Sequence, residues 1–599
     1  MADKKIPKRS EIAPEDTWDL SDLFQSDEEW MREYEALGRI PEQCAAFQGR
    51  LGESAETLLT FFRLQDETEL RLTALYTYAS CKSDEDTSVG KYQDMRGKAM
   101  SVYVAIAGAA AFSTPEIMAL DEDRLNLFYI AQPELETYRR SIYRIRRRAE
   151  HILSGECEAL LAAAGEMSGG PDRIGGAFRN ADLRFDDAVD AKGETHPLTG
   201  GTFVPLEESD DRELRRDAFV KYYDRFDSFK NTLAATLDAE FKSRLFYSRA
   251  RRYGDTLSAA LDANEVPVGV YTNLIEAVHA NLDKMYRYVA LRKKLLGVDE
   301  LHMYDVYAPL VGGVSRKIGI EEAKQTVLDA LSVLGEDYTA LLREGFDHRW
   351  IDVYENEGKR GGAYSTGSVR PHPYVLLNHS GTLDSMFTLA HEMGHALHSY
   401  HSCHAQPVCT SEYVIFVAEV ASTCNEILLM RYLLDRTEDR AERAYLINHF
   451  LDSFKGTVYR QTMFAEFELL MGCLAESGTA LTADVLSEKY LELNRLYFGP
   501  DMISDERISL EWARIPHFFY NYYVFQYATG FSAAVAIANR ILSEGESAVQ
   551  DYKRFLSGGS STDPIGLLKI AGVDMSSPDP VNSALALFGE LVDEMEKLG

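Results

Sequence analysis

Cysteine is scarce. The 599 residues hold seven, Cys44, Cys81, Cys157, Cys403, Cys409, Cys424 and Cys473, odd in number and scattered along the chain. That excludes a disulfide framework and fits a reducing compartment. Cys403, His404 and Cys409 lie close together but lack the paired spacing of a structural zinc site, so free thiols are expected. Positive charge is also short, with 63 Lys plus Arg against 95 Asp plus Glu and a formal charge of −32. A polyanion such as DNA or RNA would be repelled at long range, and no nucleic-acid partner is expected. Long apolar runs are missing too. The longest nearly apolar stretch, 99–112, falls short of the roughly 20 residues that a membrane helix needs, so no membrane segment is expected. The first ten residues pass into acidic sequence with no apolar stretch behind them, so a secretory signal is not expected and the cytoplasm is the expected compartment.

What is present reads as folded protein: 45% hydrophobic and 26% charged residues, over a length that suits several domains or one large multi-lobed enzyme. Apolar residues recur at three- and four-residue spacing through long charged stretches such as 210–253 and 441–474, which predicts a mainly α fold. Asp210 precedes Glu213 by three residues and predicts a helix cap. Strand-like sequence is confined to 183–206, with its glycines Gly193, Gly200 and Gly201, and to 361–378, where Tyr374-Val-Leu-Leu-Asn378 favours β structure. A small sheet beside the following helix is therefore expected. The glycine-rich segment 165–176 predicts a joint between an N-terminal helical lobe, 1–180, and a catalytic region, 181–599.

That following helix carries His391-Glu392-Met393-Gly394-His395, an H-E-x-x-H motif. Residues four apart share a helix face, so both imidazoles can reach one metal, while Glu392 sits one step round, placed to take a proton from a water. By chance the pattern turns up in roughly one chain of this length in forty, so its surroundings matter. A catalytic zinc has three protein ligands and keeps a fourth position open. The third candidate is Glu419, a carboxylate within the apolar sequence Phe416-Val-Ala-Glu419-Val-Ala-Ser, where it needs a partner. His398 competes with it, but three turns of one straight helix rarely converge on one ion. Glu426 lies two turns beyond Glu419 and can either orient a ligand histidine or pair with Arg431. A dense aromatic run, His517-Phe-Phe-Tyr520-Asn-Tyr522-Tyr523-Val-Phe-Gln-Tyr527, offers donors for an oxyanion, although such runs are more often core.

Four segments together resemble the oligoendopeptidase F branch of the thimet oligopeptidase and neurolysin family of zinc peptidases: Trp18-Asp-Leu-Ser-Asp-Leu-Phe24, Gly362-Ala-Tyr-Ser365 through His395, Phe416 through Glu426, and Ile515-Pro-His517 through Gly530. The resemblance implies a large helical gluzincin-type peptidase whose deep channel admits short unfolded peptides. It implies one zinc on His391, His395 and Glu419, with Glu392 as general base. It also implies that His517 and a following tyrosine bind the oxyanion; Tyr527 is the first choice, and Tyr520 and Tyr523 stay open. The expected activity is cleavage of internal bonds in short peptides. Release of C-terminal dipeptides by the same centre is the alternative, and a non-catalytic peptide-binding protein is a further one.

Overall fold

The computed structural model describes residues 6–312, 317–367 and 370–598. Helices carry most of the chain, as the periodicity predicted, and the strands are two or three residues long. They are β1 (Ala188–Val189), β2 (Thr195–His196), β3 (Leu301–His302), β4 (Ile351–Asp352), β5 (Tyr364–Thr366), β6 (Tyr374–Leu376) and β7 (Met502–Ile503). β1 and β2 form an antiparallel pair within 183–206. β6 is the middle strand of a three-stranded sheet, parallel to β4 and antiparallel to β5. The pairing of β3 with β7 and the presence of β4 correct the expectation of two strand regions. Two residues cannot display the alternation by which strands are recognised. The helix cap also moves by one residue. Asp211, not Asp210, accepts from the backbone N–H groups of Glu213 and Leu214 and starts the helix Arg212–Asp227.

The chain separates into two compact units, each gathered from three stretches. The first comprises 1–149, 316–432 and 537–573; the second comprises 150–315, 433–536 and 574–599. In the first unit, Trp30 is fully buried and its indole N–H donates to the Leu75 carbonyl. Trp30, Leu75 and Tyr78 share one core with Tyr374 and Leu376 of β6, so the N-terminal helices are packed on the sheet that precedes the motif helix. A buried ion pair fixes the end of that sheet. Lys359 Nζ lies 2.7 Å from an Asp352 carboxylate oxygen and donates to the Tyr354 and Leu377 carbonyls, which satisfies both charges away from water.

The helical stretch Gly90–Ala119 extends beyond 99–112 on both sides and is long and apolar enough to cross a membrane by length and composition alone. The helix begins at Gly90, well ahead of that run. Its residues Met95, Ala99, Val102 and Ile106, at alternating four- and three-residue spacing, are buried in the core around Trp30. All seven cysteines carry free thiols.

Candidate metal centre and the aromatic turn

The motif helix, Leu383–Ala405, is started by Thr382, whose hydroxyl accepts from the Ser385 backbone N–H at 3.1 Å. Its Met386, Leu389, Ala390, Met393, Ala396 and Leu397 are buried, which fixes the rotation of the helix and so the direction of the motif histidines. A second helix, Ile415–Arg436, crosses it closely. A Cβ added at Gly394 would stand 2.5 Å from the Ser422 Cα and 2.9 Å from the Ala421 carbonyl oxygen. Only glycine permits that approach. The buried Asn425 amide ties the crossing together by donating to the Ala390 carbonyl at 3.1 Å, and the Tyr338 hydroxyl donates to Asn425 in turn.

This crossing brings together the residues expected as ligands. His391 Nε2 and His395 Nε2 are 3.1 Å apart, and a Glu419 carboxylate oxygen stands 3.4 Å from the first and 3.5 Å from the second. Donors at zinc-ligand distance from one tetrahedral centre stand roughly 3.3–3.6 Å apart. Both Glu419 distances fall in that range and the two histidine nitrogens are slightly closer, so the three atoms form one face of a tetrahedron of about the right size. Two imidazoles and one carboxylate suit zinc or a similar transition metal better than calcium or magnesium, which take oxygen ligands. His391, His395 and Glu419 form the metal-competent group among the described residues. The second nitrogen of His391 is bonded to a Glu426 carboxylate oxygen, so of the two roles open to Glu426 it takes the orienting one.

The electrostatics follow from this packing. Burial disfavours an imidazolium at His391, yet hydrogen bonds to Glu419 and Glu426 outweigh it and raise its pKa to about 10. Burial likewise opposes ionisation of Glu419, but the two histidines hold it ionised, well below the usual carboxylate range. Two carboxylates turned on two imidazoles make a strong cation site. Glu392, 7% exposed, has its pKa raised by burial. His398 is not part of the group: it is fully buried, stacked on Tyr413 at 3.7 Å, and kept neutral by burial.

The other predicted residues belong to the second unit. His517 lies in the short helix Pro516–Phe519, and Tyr527 in the first turn of Phe525–Glu544. The turn gathers all three candidate tyrosines around the imidazole, with ring centroids at 5.5 Å for Tyr520, 6.3 Å for Tyr523 and 5.9 Å for Tyr527. The Tyr527 hydroxyl is 3.5 Å from His517 Nε2. Burial lowers the His517 pKa, so the ring is neutral at neutral pH. Between them Asn521 and Tyr522 adopt left-handed backbone, with φ of 51° and 57°, a conformation that costs a non-glycine residue of order 1–3 kcal/mol.

Residues the sequence did not single out hold that strained turn. Arg244, buried, pairs with Glu468 at 2.6 Å and Glu240 at 3.0 Å, and donates to the Phe518 carbonyl. Glu468 accepts the Tyr522 backbone N–H at 2.7 Å. The Tyr522 hydroxyl meets Thr256 at 2.7 Å and fills the space over Gly472, where a Cβ would stand 2.0 Å from it. The signal for Arg244 and Glu468 was two charges within apolar helical sequence, but they stand 224 residues apart and nothing local joins them. Gly394 was visible as a glycine inside a helix, a position that calls for a packing reason.

Two regular helices thus present two histidines and a glutamate, with a further glutamate beside them, as a cluster that can hold a metal ion. Comparison with known proteins makes this specific. Residues 205–587 match the profile of "Peptidase family M3" and residues 116–185 that of "Oligopeptidase F". The chain is 46% identical to oligopeptidase PepF of Bacillus subtilis, over its whole length and 90% of that protein. It is 40% identical to group B oligopeptidase PepB of Streptococcus agalactiae, over 98% of each chain. The crystal structure of oligoendopeptidase-F from Enterococcus faecium superposes with a TM-score of 0.75 at 37% identity, covering 96% of this chain and 99% of that one. The chain belongs to peptidase family M3, and it is a metalloendopeptidase.

Proposed function

We propose that the protein is a zinc-dependent endopeptidase that hydrolyses internal bonds of short unfolded peptides, with His391, His395 and Glu419 holding the zinc. The observation that carries this reading is the separation of the three donor atoms, which fits a tetrahedral zinc site. When bound, zinc supplies Lewis acidity toward a water and a peptide carbonyl. Glu392 takes the proton of the attacking water and passes it to the leaving amine; its raised pKa brings it nearer to the neutral range where a general base works best. Glu426 holds His391 in the tautomer and orientation that leave Nε2 for the metal. His517 and a tyrosine donate to the oxyanion, and Tyr527 is favoured because its hydroxyl lies 3.5 Å from His517 Nε2, so that the two donors converge.

The preference for short peptides is supported by the relatives' names, oligopeptidase and oligoendopeptidase. Seven free thiols support a cytoplasmic location. A boundary near residue 180, between an N-terminal lobe and the catalytic region, is supported by the two family segments, one ending at 185 and the other beginning at 205.

Glu392→Gln keeps size and hydrogen bonding but removes the base. Peptide hydrolysis falls by about 10²- to 10⁴-fold, the usual worth of general-base catalysis, while metal content stays normal. Hydrolysis near the unmodified rate, or a defect explained by metal loss, sinks the assignment. A peptide blocked at both ends is still cut internally; cleavage restricted to free C-termini would favour dipeptide release instead.

A further inference from the structure

In a chain of charge −32, six of the ten residues from 139 to 148 are arginine. They lie on and just beyond the helix Arg139–Arg146, against a cavity of about 780 Å³ in the first unit. Arg139, Arg140, Arg146 and Arg147 line it, together with the carboxylates Glu122 and Glu136. Arg139 is already matched: it holds Glu136 through two bonds of 2.6 and 2.7 Å and lies 3.9 Å over the Tyr129 ring. Arg140 donates Nε to the Ser560 carbonyl and stands 5.3 Å from the Tyr143 ring. Arg146 makes no hydrogen bond or ion pair among the described residues. One wall is apolar, from the buried Leu125, Tyr129 and Ile142.

Arg146 brings an unmatched positive charge into this concavity, and an anion beside it offsets the cost of holding that charge near the other guanidinium groups. Guanidinium forks pair with phosphate oxygens two at a time, and the apolar wall accepts a planar ring. The volume lies within the usual range for small-molecule sites, roughly 300–1,000 Å³. The lining also includes Gln406, Pro407 and Thr410, immediately beyond the motif helix. At 1.5 Å per residue, Gln406 is about 16 Å along the helix from His395, too far for this cavity to be the metal centre. We propose that this cavity binds a compact polyphosphate anion of nucleotide size, with Arg140, Arg146 and Arg147 on the phosphates and Leu125, Tyr129 and Ile142 against the ring.

The test is fluorescence anisotropy of a methylanthraniloyl-labelled ATP titrated with the full-length protein at physiological salt, which suppresses unspecific charge attraction. Saturable binding is expected, competed by unlabelled ATP and by inorganic tripolyphosphate. Arg146→Gln weakens it about tenfold or more, the worth of a charge-assisted bond, and Arg146→Lys recovers part of the loss because it keeps the charge without the fork. Peptide hydrolysis by Arg146→Gln without nucleotide stays at the parental rate, which shows that the variant is folded. No saturable binding at millimolar protein, equal affinity in Arg146→Gln, or competition by penta-glutamate with none by tripolyphosphate would each overturn the proposal. The last result would assign the cavity to acidic peptides.

Discussion

The first unit holds its polar groups on two regular helices, whereas the second holds His517 on a strained turn clamped by buried charges. At the metal centre, helix spacing, a capping threonine and a glycine contact set the geometry, and the local backbone is relaxed. At the aromatic turn, two residues sit in left-handed backbone, and an arginine and a glutamate from two other helices keep them there. The contrast teaches that the two sites fail differently. Damage to the first shows in metal affinity; damage to the second shows in stability and turnover with the metal retained.

The largest stability effect is expected at the clamp. Glu468→Gln keeps an acceptor for the Tyr522 N–H but leaves the buried Arg244 short of charge, and breaking a buried pair costs about 3–5 kcal/mol. Urea unfolding should show that loss, peptide turnover should fall, and zinc per chain should not change. Metal loss in this variant would erase the distinction drawn between the sites. Gly394→Ala tests the other side. Its Cβ meets backbone at 2.5 Å, and overpacking of this kind costs about 1–3 kcal/mol. The helices must part, so metal affinity should fall along with stability; a chelator titration that matches the parent would remove the close crossing from the account. Glu426→Gln should have the mildest effect, weakening metal binding about 10- to 100-fold as loss of an orienting carboxylate does, with little change in fold. Unchanged metal affinity would reduce Glu426 to a bystander.

The same contrast decides how much the sequence could tell. His391, Glu392 and His395 are legible because an i, i+4 spacing on a helix is local, and Glu419 because a carboxylate in an apolar helix needs a partner. The helical class is legible for the same reason. Gly394 is harder, since its reason lies in Ser422, on another helix. The cap at Asp211 is missed by one residue because two aspartates are adjacent, and it is Asp211, in extended backbone, that accepts the Glu213 and Leu214 N–H groups. The Arg244–Glu468 clamp and the left-handed Asn521 and Tyr522 are not legible at all. They exist because distant parts of the chain meet, and no periodicity records that meeting.

The claim at the centre of this account is that Glu419 completes the metal site and His398 does not. Its most direct test is zinc per chain, measured by mass spectrometry on the purified protein and on Glu419→Ala and His398→Ala. The geometry predicts close to one zinc in the parent, loss of zinc in Glu419→Ala, and retention in His398→Ala, whose ring is stacked on Tyr413 outside the cluster. Stoichiometric zinc and normal peptide hydrolysis in Glu419→Ala, with both lost in His398→Ala, would contradict it.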